Sequence, residues 1–197
     1  NGIGLDSICV NASTDKCGHG IFGGGWTGYG NDGEYSMIVP EGDIYLFANT
    51  GCQPDGTEYA SQHWTSAGGV HWCDDAEAMT VTAGSETKID FKLERLKQIS
   101  GHVYHQDGIT PLANAALYAF PVSQGLPGAG TVAGPDGSYR IEGLLPGSYV
   151  VRAVADWYSM QTLEVELVQH DLASGIDFSL VPYPYLLISV KEAVAGP

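Results

Sequence analysis

The sequence predicts an all-β protein of two tandem seven-stranded Greek-key β-sandwiches, the first of which lacks its own first strand. Turn-forming residues are abundant, with 27 Gly and 10 Pro among 197 residues. No uninterrupted helical pattern continues beyond about two turns, whereas short alternations of apolar and polar residues recur along the chain. In addition, one set of motifs occurs twice, which indicates an internal repeat.

The repeated motifs define the domain organisation. "GNDGEYSMIVPEGDIYLFA", which starts at Gly30, aligns with "GPDGSYRIEGLLPGSYVVRA", which starts at Gly134. Likewise, "KIDFKL" at 88–93 aligns with "GIDFSL" at 175–180. Duplication of this kind is typical of similar domains in tandem. The expected units are a first β-sandwich at 1–94, a second at 95–182, and a C-terminal strand at 183–197.

Seven strands can be identified in order in the second copy. They are "ISGHVYH", "AALYAFPV", "GTVAG", "SYRIEG", "SYVVRAVA", "TLEVELV" and "GIDFSLV". Gly, Pro or Asp lies at nearly every junction, which is typical of the turns of a Greek-key sandwich. Alternation within these strands places Tyr139, Ile141, Tyr149 and Val151 in the core.

These motifs resemble the carboxypeptidase regulatory-like family, a transthyretin-like sandwich that is also similar to the B-type repeats of bacterial collagen adhesins. The resemblance covers residues 99–180, from "ISGHVY" to "GIDFSL", and residues 1–93 resemble the same family from its second strand onward. It implies non-catalytic domains that serve as repeats or spacers in secreted and surface proteins. Because the sequence contains no metal-binding peptidase domain, no carboxypeptidase activity is implied.

The charge of the chain argues against several classes of partner. Eight basic and 23 acidic residues give a net charge of −15, which disfavours nucleic acid and anionic membrane surfaces. No apolar run reaches the roughly 20 residues that cross a bilayer, so we expect no membrane insertion. The acidity predicts solubility in an extracellular medium, and Ca²⁺ held by carboxylate clusters is the alternative explanation. We expect no other cofactor.

All four cysteines lie in the first domain, at Cys9, Cys17, Cys52 and Cys73. An even number of cysteines in an acidic β protein favours disulfides over a metal site. Since the second and fifth strands of this fold are antiparallel neighbours, Cys9 is expected to pair with Cys52, which leaves Cys17 with Cys73. The first domain also contains an insertion relative to the second, at residues 52–75 and their surroundings. A Cys52–Cys73 pair within this insertion is the alternative.

This insertion also contains five aromatic or imidazole side chains. They are Tyr59, His63, Trp64, His71 and Trp72. Our first interpretation is that they cap an open end of the sandwich, with the histidines at its solvated rim. The alternatives are a ligand surface for carbohydrate or protein, and a His/Cys metal site. Because no catalytic arrangement stands out along the chain, we do not expect an enzyme.

The chain closes on what looks like an unpaired strand. Leu186, Ile188 and Val190 alternate with other residues, and "AVAGP" is typical of a turn after a strand. From Ile188 to Pro197 is 9 residues, and a further 9 lead on to Cys9 of another copy, which together equal the 18 between the first two strands of the second domain (117 − 99). We therefore expect these residues to enter the first domain of another copy as a donor strand.

The expected function is that of a structural subunit or repeat segment of an extracellular filament or cell-surface array, assembled head-to-tail with other copies. There are two alternative explanations for the unpaired strand. Either both ends of the sequence are cuts through a longer array of such domains, or the strand pairs with the first domain of its own chain. The alternative function is a carbohydrate- or protein-binding module of a secreted or surface protein, with a glycan or a surface protein as its partner.

Overall fold

The computed structural model describes residues 3–28, 32–168 and 173–190. In these residues the secondary structure is β-strand with three short 3-10 helices, at Thr50–Cys52, Pro54–Glu58 and Cys73–Asp75. The all-β class predicted from the sequence is therefore confirmed. No helix in this part of the chain is long and apolar enough to cross a lipid bilayer.

The strands of the described chain fall into two halves. The N-terminal half contains β1 (Cys9–Ser13), β2 (Ile21–Trp26), β3 (Gly42–Asn49), β4 (Gln62–Thr65), β5 (Gly68–Val70) and β6 (Met79–Val81). The C-terminal half contains β7 (Lys97–His105), β8 (Ala116–Pro121), β9 (Ala129–Val132), β10 (Ser138–Leu144), β11 (Gly147–Val154), β12 (Gln161–Leu167) and β13 (Phe178–Leu180).

The C-terminal half forms two sheets. In the three-stranded sheet, β7 lies in the middle, antiparallel to β10 on one side and parallel to β13 on the other. The four-stranded sheet has the order β12-β11-β8-β9. Each of these strands overlaps one of the seven segments predicted from the sequence. Gly, Pro and Asp at the junctions were therefore reliable signals of the strand ends.

The core of the C-terminal half lies between its two sheets. Tyr139, Ile141, Tyr149 and Val151 are buried, as predicted, with at most 5% of each side chain exposed. Ile99, in the middle strand β7, is completely buried in the same cluster. Full burial of such an aliphatic side chain contributes about 1.5–3 kcal/mol. The middle strand is thus an integral part of this core.

The N-terminal half repeats the order of the four-stranded sheet. β2, β1 and β3 are consecutive antiparallel strands, and the first residues of β3 pair with β6. The order β6-β3-β1-β2 therefore corresponds to β12-β11-β8-β9. The last residues of β3 pair instead with β4, which forms a hairpin with β5. This hairpin lies in the insertion and has no counterpart among the described strands of the C-terminal half.

The structure differs from the sequence prediction in the second sheet of the N-terminal half. Residues 34–40 and 86–94, which include "EYSMIV" and "KIDFKL", are described without any strand ladder. They correspond in sequence to β10 and β13, the two strands that flank β7. Because no described strand of the N-terminal half takes the place of β7, these segments have no ladder partner among the described residues.

Candidate functional site

Among the described residues, no strand lies between residues 34–40 and 86–94, where β7 lies in the C-terminal half, and we refer to this place as the unfilled position. Residues 34–40 and, within the second segment, residues 88–93 alternate between exposed and partly buried side chains, as half-buried strands do. Their inward-facing side chains pack on Ile44 and Leu46 of β3. Those side chains are Met37, Val39, Ile89 and Phe91. Both segments therefore face the core with every second residue, as strands do, but no backbone ladder connects them.

The inward-facing residues of this site are less buried than their counterparts. Met37 and Phe91 are only partly buried against their cluster. Ile141 and Phe178, at the corresponding positions, are completely buried beside β7. An apolar face that is only half covered retains part of its hydrophobic driving force for a further partner. The less complete burial therefore makes the unfilled position a candidate surface for an added strand.

A tyrosine spans the site in both halves. The Tyr139 hydroxyl donates to the carbonyl oxygen of Ile176, beyond β7, at 2.6 Å. The Tyr35 hydroxyl makes the corresponding contact with the carbonyl oxygen of Ile89 at 3.5 Å, with no described strand between them. Burial, and then the charge of Asp90, raises the pKa of Tyr35. The tyrosine hydroxyl and the carbonyl oxygen opposite it are thus present in both halves, although no described strand lies between them in the N-terminal half.

The C-terminal segment, residues 183–197, is described as far as Val190. Leu186, Ile188 and Val190, the predicted donor residues, are 88%, 77% and 94% exposed, and residues 183–190 belong to no strand. The predicted turn "AVAGP" lies outside the described residues. Exposed apolar residues in such a row are typical of a segment that binds another surface. That they donate a strand stays a prediction.

Two disulfides connect the N-terminal half. Cys9 in β1 is bonded to Cys52 just after β3, with Cα atoms 6.1 Å apart. Cys17 is bonded to Cys73 in the insertion, with Cα atoms 5.0 Å apart. This is the pairing favoured by the expected adjacency of the second and fifth strands, and not the Cys52–Cys73 alternative. Asp74 lies close to the second disulfide, but sulfur atoms bonded to each other are not thiolate ligands for a metal.

The insertion divides the five predicted ligand-surface residues between different environments. Trp64 packs against the core of the N-terminal half. The His63 ring stacks on Phe47 with the ring centres 4.4 Å apart, and burial lowers the pKa of His63. Tyr59 forms an isolated bridge with Arg95, at the start of the C-terminal half. The five residues therefore lie in different environments, and a ligand surface formed by them stays a prediction.

A shallow cleft of about 270 Å³ is lined by His63, His71 and Trp72, beside the Cys17–Cys73 disulfide. The polar atoms of two of these residues already have protein partners. The His71 Nδ1 atom lies 3.2 Å from the carbonyl oxygen of Ser61. The Trp72 Nε1–H donates to the carbonyl oxygen of Gly125, in the C-terminal half, at 3.2 Å. The residues that line the cleft all belong to the N-terminal half, and Trp72 connects its rim to the C-terminal half.

Backbone pairing fixes the connection between the halves. The Ala60 N–H donates to the carbonyl oxygen of Glu94 at 2.9 Å, and the Leu96 N–H donates to that of Glu58 at 2.7 Å. The Arg95 guanidinium also forms an ion pair with the Glu58 carboxylate. This junction could not be predicted from the sequence, because its partners lie far apart in the chain and opposite charges so separated form no recognisable pattern.

Comparison with solved structures finds several chains of similar fold. A minor pilin of Streptococcus agalactiae is 13% identical over 97% of this chain and 89% of that chain, with a TM-score of 0.49. A streptococcal ancillary pilin is 14% identical over 92% and 59%, with a TM-score of 0.43. A C-terminal fragment of a pilus adhesin of Lactobacillus rhamnosus GG is 13% identical over 91% and 90%, with a TM-score of 0.36.

Sequence comparison gives a more specific result. No curated protein matches the chain. Residues 98–181, which span β7 to β13, match the carboxypeptidase regulatory-like domain family. The matched region begins within the buried middle strand and ends just after β13. The resemblance to carboxypeptidase regulatory-like domains that the sequence predicts is therefore confirmed for the C-terminal half of the chain.

Proposed function

We propose that this protein is a non-enzymatic structural subunit of an extracellular filament or surface array. Copies assemble head-to-tail when the C-terminal segment of one enters the unfilled position of the next. Each copy then contributes two β-sandwich domains, residues 1–94 and 95–182. Because donor and acceptor lie at opposite ends of the repeat, the contact does not close on itself and extends a filament.

The observation that carries the proposal is the pair of ladder-free segments, 34–40 and 86–94. Both alternate as strands do, and both correspond to strands that pair with β7 in the other half. An added middle strand gives each of them a ladder partner and covers their half-buried apolar residues. Each ladder hydrogen bond contributes about 1 kcal/mol and each newly buried aliphatic side chain about 1.5–3 kcal/mol, before the cost of ordering the strand.

Two further observations support an extracellular location and a partner of the same kind. All four cysteines are oxidised, and disulfides persist mainly in oxidising compartments outside the cytosol. The C-terminal segment exposes a row of apolar residues, of which Leu186, Ile188 and Val190 lie on one face of an extended chain. A net charge of −15 makes nucleic acid an unsuitable partner.

Deletion of residues 186–197 tests the proposal. The matched control is a chain of full length in which the same residues appear in scrambled order. We expect the unchanged chain to form oligomers whose size rises with concentration, as measured by light scattering and electron microscopy. Neither variant is expected to form them. Near-ultraviolet circular dichroism verifies that both variants keep their folded cores. Oligomers of unchanged size after the deletion, or an unchanged chain that stays monomeric at high concentration, would show that strand donation is wrong.

A further inference from the structure

A glycine in the middle strand β7 lies between a tyrosine side chain on one side and a backbone carbonyl group on the other. Tyr139 of β10 lies opposite Gly101 of β7, and its hydroxyl reaches the carbonyl oxygen of Ile176 on the far side. A Cβ atom built on Gly101 lies 2.1 Å from that carbonyl oxygen. Because the carbonyl belongs to the backbone and cannot move aside freely, glycine is required at this place in the strand.

The neighbours of this glycine also have defined partners. The backbone N–H of His102 donates to the Oδ1 atom of Asp177 at 2.8 Å. Ile99 and Val103, two residues before and two after the glycine, are completely buried. The middle strand thus follows one pattern, in which an inward-facing glycine has an inward-facing β-branched residue on each side.

The unfilled position carries the same groups on its two flanks. Tyr35, Ile89 and Asp90 occupy the sequence positions of the residues that contact Gly101 and His102. The Tyr35 hydroxyl remains directed at the carbonyl oxygen of Ile89. A strand that enters between them therefore meets a backbone carbonyl at the same place, and a side chain opposite Tyr35 has no room.

We propose, resting on the strand donation proposed above, that the unfilled position admits a strand only with a glycine opposite Tyr35, and that in a second copy this residue is Gly196. Gly196 is the sole glycine of the C-terminal segment. Val194 precedes it by two residues, as Ile99 precedes Gly101. The segment thus supplies the glycine and the apolar residue two positions before it, at the spacing of Ile99 and Gly101.

This register places the donated strand further along the segment than the sequence analysis expects. Val194 takes the buried position before the glycine. Ile188 and Val190 share its face, because they are separated from it by an even number of residues, and they lie at the entrance of the site. Pro197 follows the glycine, at the position of His102 in β7, and has no N–H to donate to Asp90 as His102 donates to Asp177. The exposed Asp90 carboxylate keeps its contact with water instead.

Full-length chains with Gly196→Val or Ala195→Val test the register. Both changes add a valine at adjacent positions, but neighbouring residues of a strand face opposite sides, so only valine at 196 meets the Ile89 carbonyl. We expect the dissociation constant for assembly, measured by sedimentation, to rise about tenfold or more for Gly196→Val. Ala195→Val is expected to assemble like the unchanged chain. Assembly of Gly196→Val at the unchanged strength overturns the register.

Peptides test the glycine requirement separately. A peptide of residues 97–105 is added in excess to the full-length Gly196→Val chain, and the matched peptide carries valine in place of Gly101. We expect hydrogen exchange to slow at residues 34–40 and 86–94 with the glycine peptide only. Equal protection by both peptides, or by neither, overturns the requirement. If the unchanged chain never assembles, the proposed function fails while the peptide comparison still decides this point.

Discussion

The two halves of the molecule contain the same flanking segments in different states. β10 and β13 are strands with buried side chains because β7 lies between them. Residues 34–40 and 86–94 keep the same alternation and a similar tyrosine contact, yet they have no ladder. A segment with alternating apolar residues can therefore pack on a core by itself, whereas it becomes a β-strand only when a neighbouring strand pairs with its backbone.

The comparison can be tested most strongly with matched phenylalanines. Phe178→Ala removes a completely buried ring, and we expect a loss of about 3–5 kcal/mol in the free energy of unfolding of the C-terminal half. Phe91→Ala removes a partly buried ring and is expected to cost less than half as much for the N-terminal half. Denaturant unfolding followed by hydrogen exchange measures both. Equal losses would mean that the flanks of the unfilled position are already fully packed.

Reduction of the disulfides is expected to destabilise only the N-terminal half. Both bonds lie in the N-terminal half, at sequence separations of 43 and 56 residues. Each is expected to stabilise that half by about 2–4 kcal/mol through restriction of the unfolded chain. We expect a reductant to lower the unfolding midpoint of β1–β6 and to leave β7–β13 unchanged, as measured by hydrogen exchange. A parallel loss in both halves would show that they unfold as one unit.

The tyrosine pair gives a smaller effect. Tyr139→Phe removes a hydrogen bond of 2.6 Å, and we expect a loss of about 1 kcal/mol in the free energy of unfolding. Tyr35→Phe removes a contact of 3.5 Å and is expected to change stability less. Thermal unfolding of the two variants provides the measurement. A larger loss of stability for Tyr35→Phe than for Tyr139→Phe would contradict this prediction.

The smallest effect concerns the turn that follows β7. Hydrogen bonds from the Thr110 hydroxyl and from the N–H groups of Ile109 and Thr110 lower the pKa of Asp107 to about 2. A carboxyl whose pKa falls on folding stabilises the turn above its unfolded value of 3.8, and this contribution is lost as the pH falls through about 2. NMR titration of the Asp107 carboxyl should give a midpoint near the lower value. A midpoint near 3.8 would show that the turn is open in solution.

The sequence predicted the C-terminal half well because its signals are local. Alternation fixed the inward set that includes Tyr139 and Ile141, and turn residues separated the strands. The state of residues 34–40 could not be predicted in the same way, because their alternation is the same whether a neighbouring strand is present or not. The contacts of Trp72 and Glu58 with the other half depend on tertiary placement and leave no pattern in the sequence.

The parallel pairing of β7 with β13 has a mechanical consequence. The chain enters the C-terminal half at Lys97, the start of β7, and leaves it after Leu180, the end of β13. Since the two strands run in the same direction, tension applied through the chain pulls them past each other along their length. Their hydrogen bonds are then loaded together in shear instead of being opened one after another. A chain under longitudinal force therefore meets its greatest resistance where it enters and leaves this half.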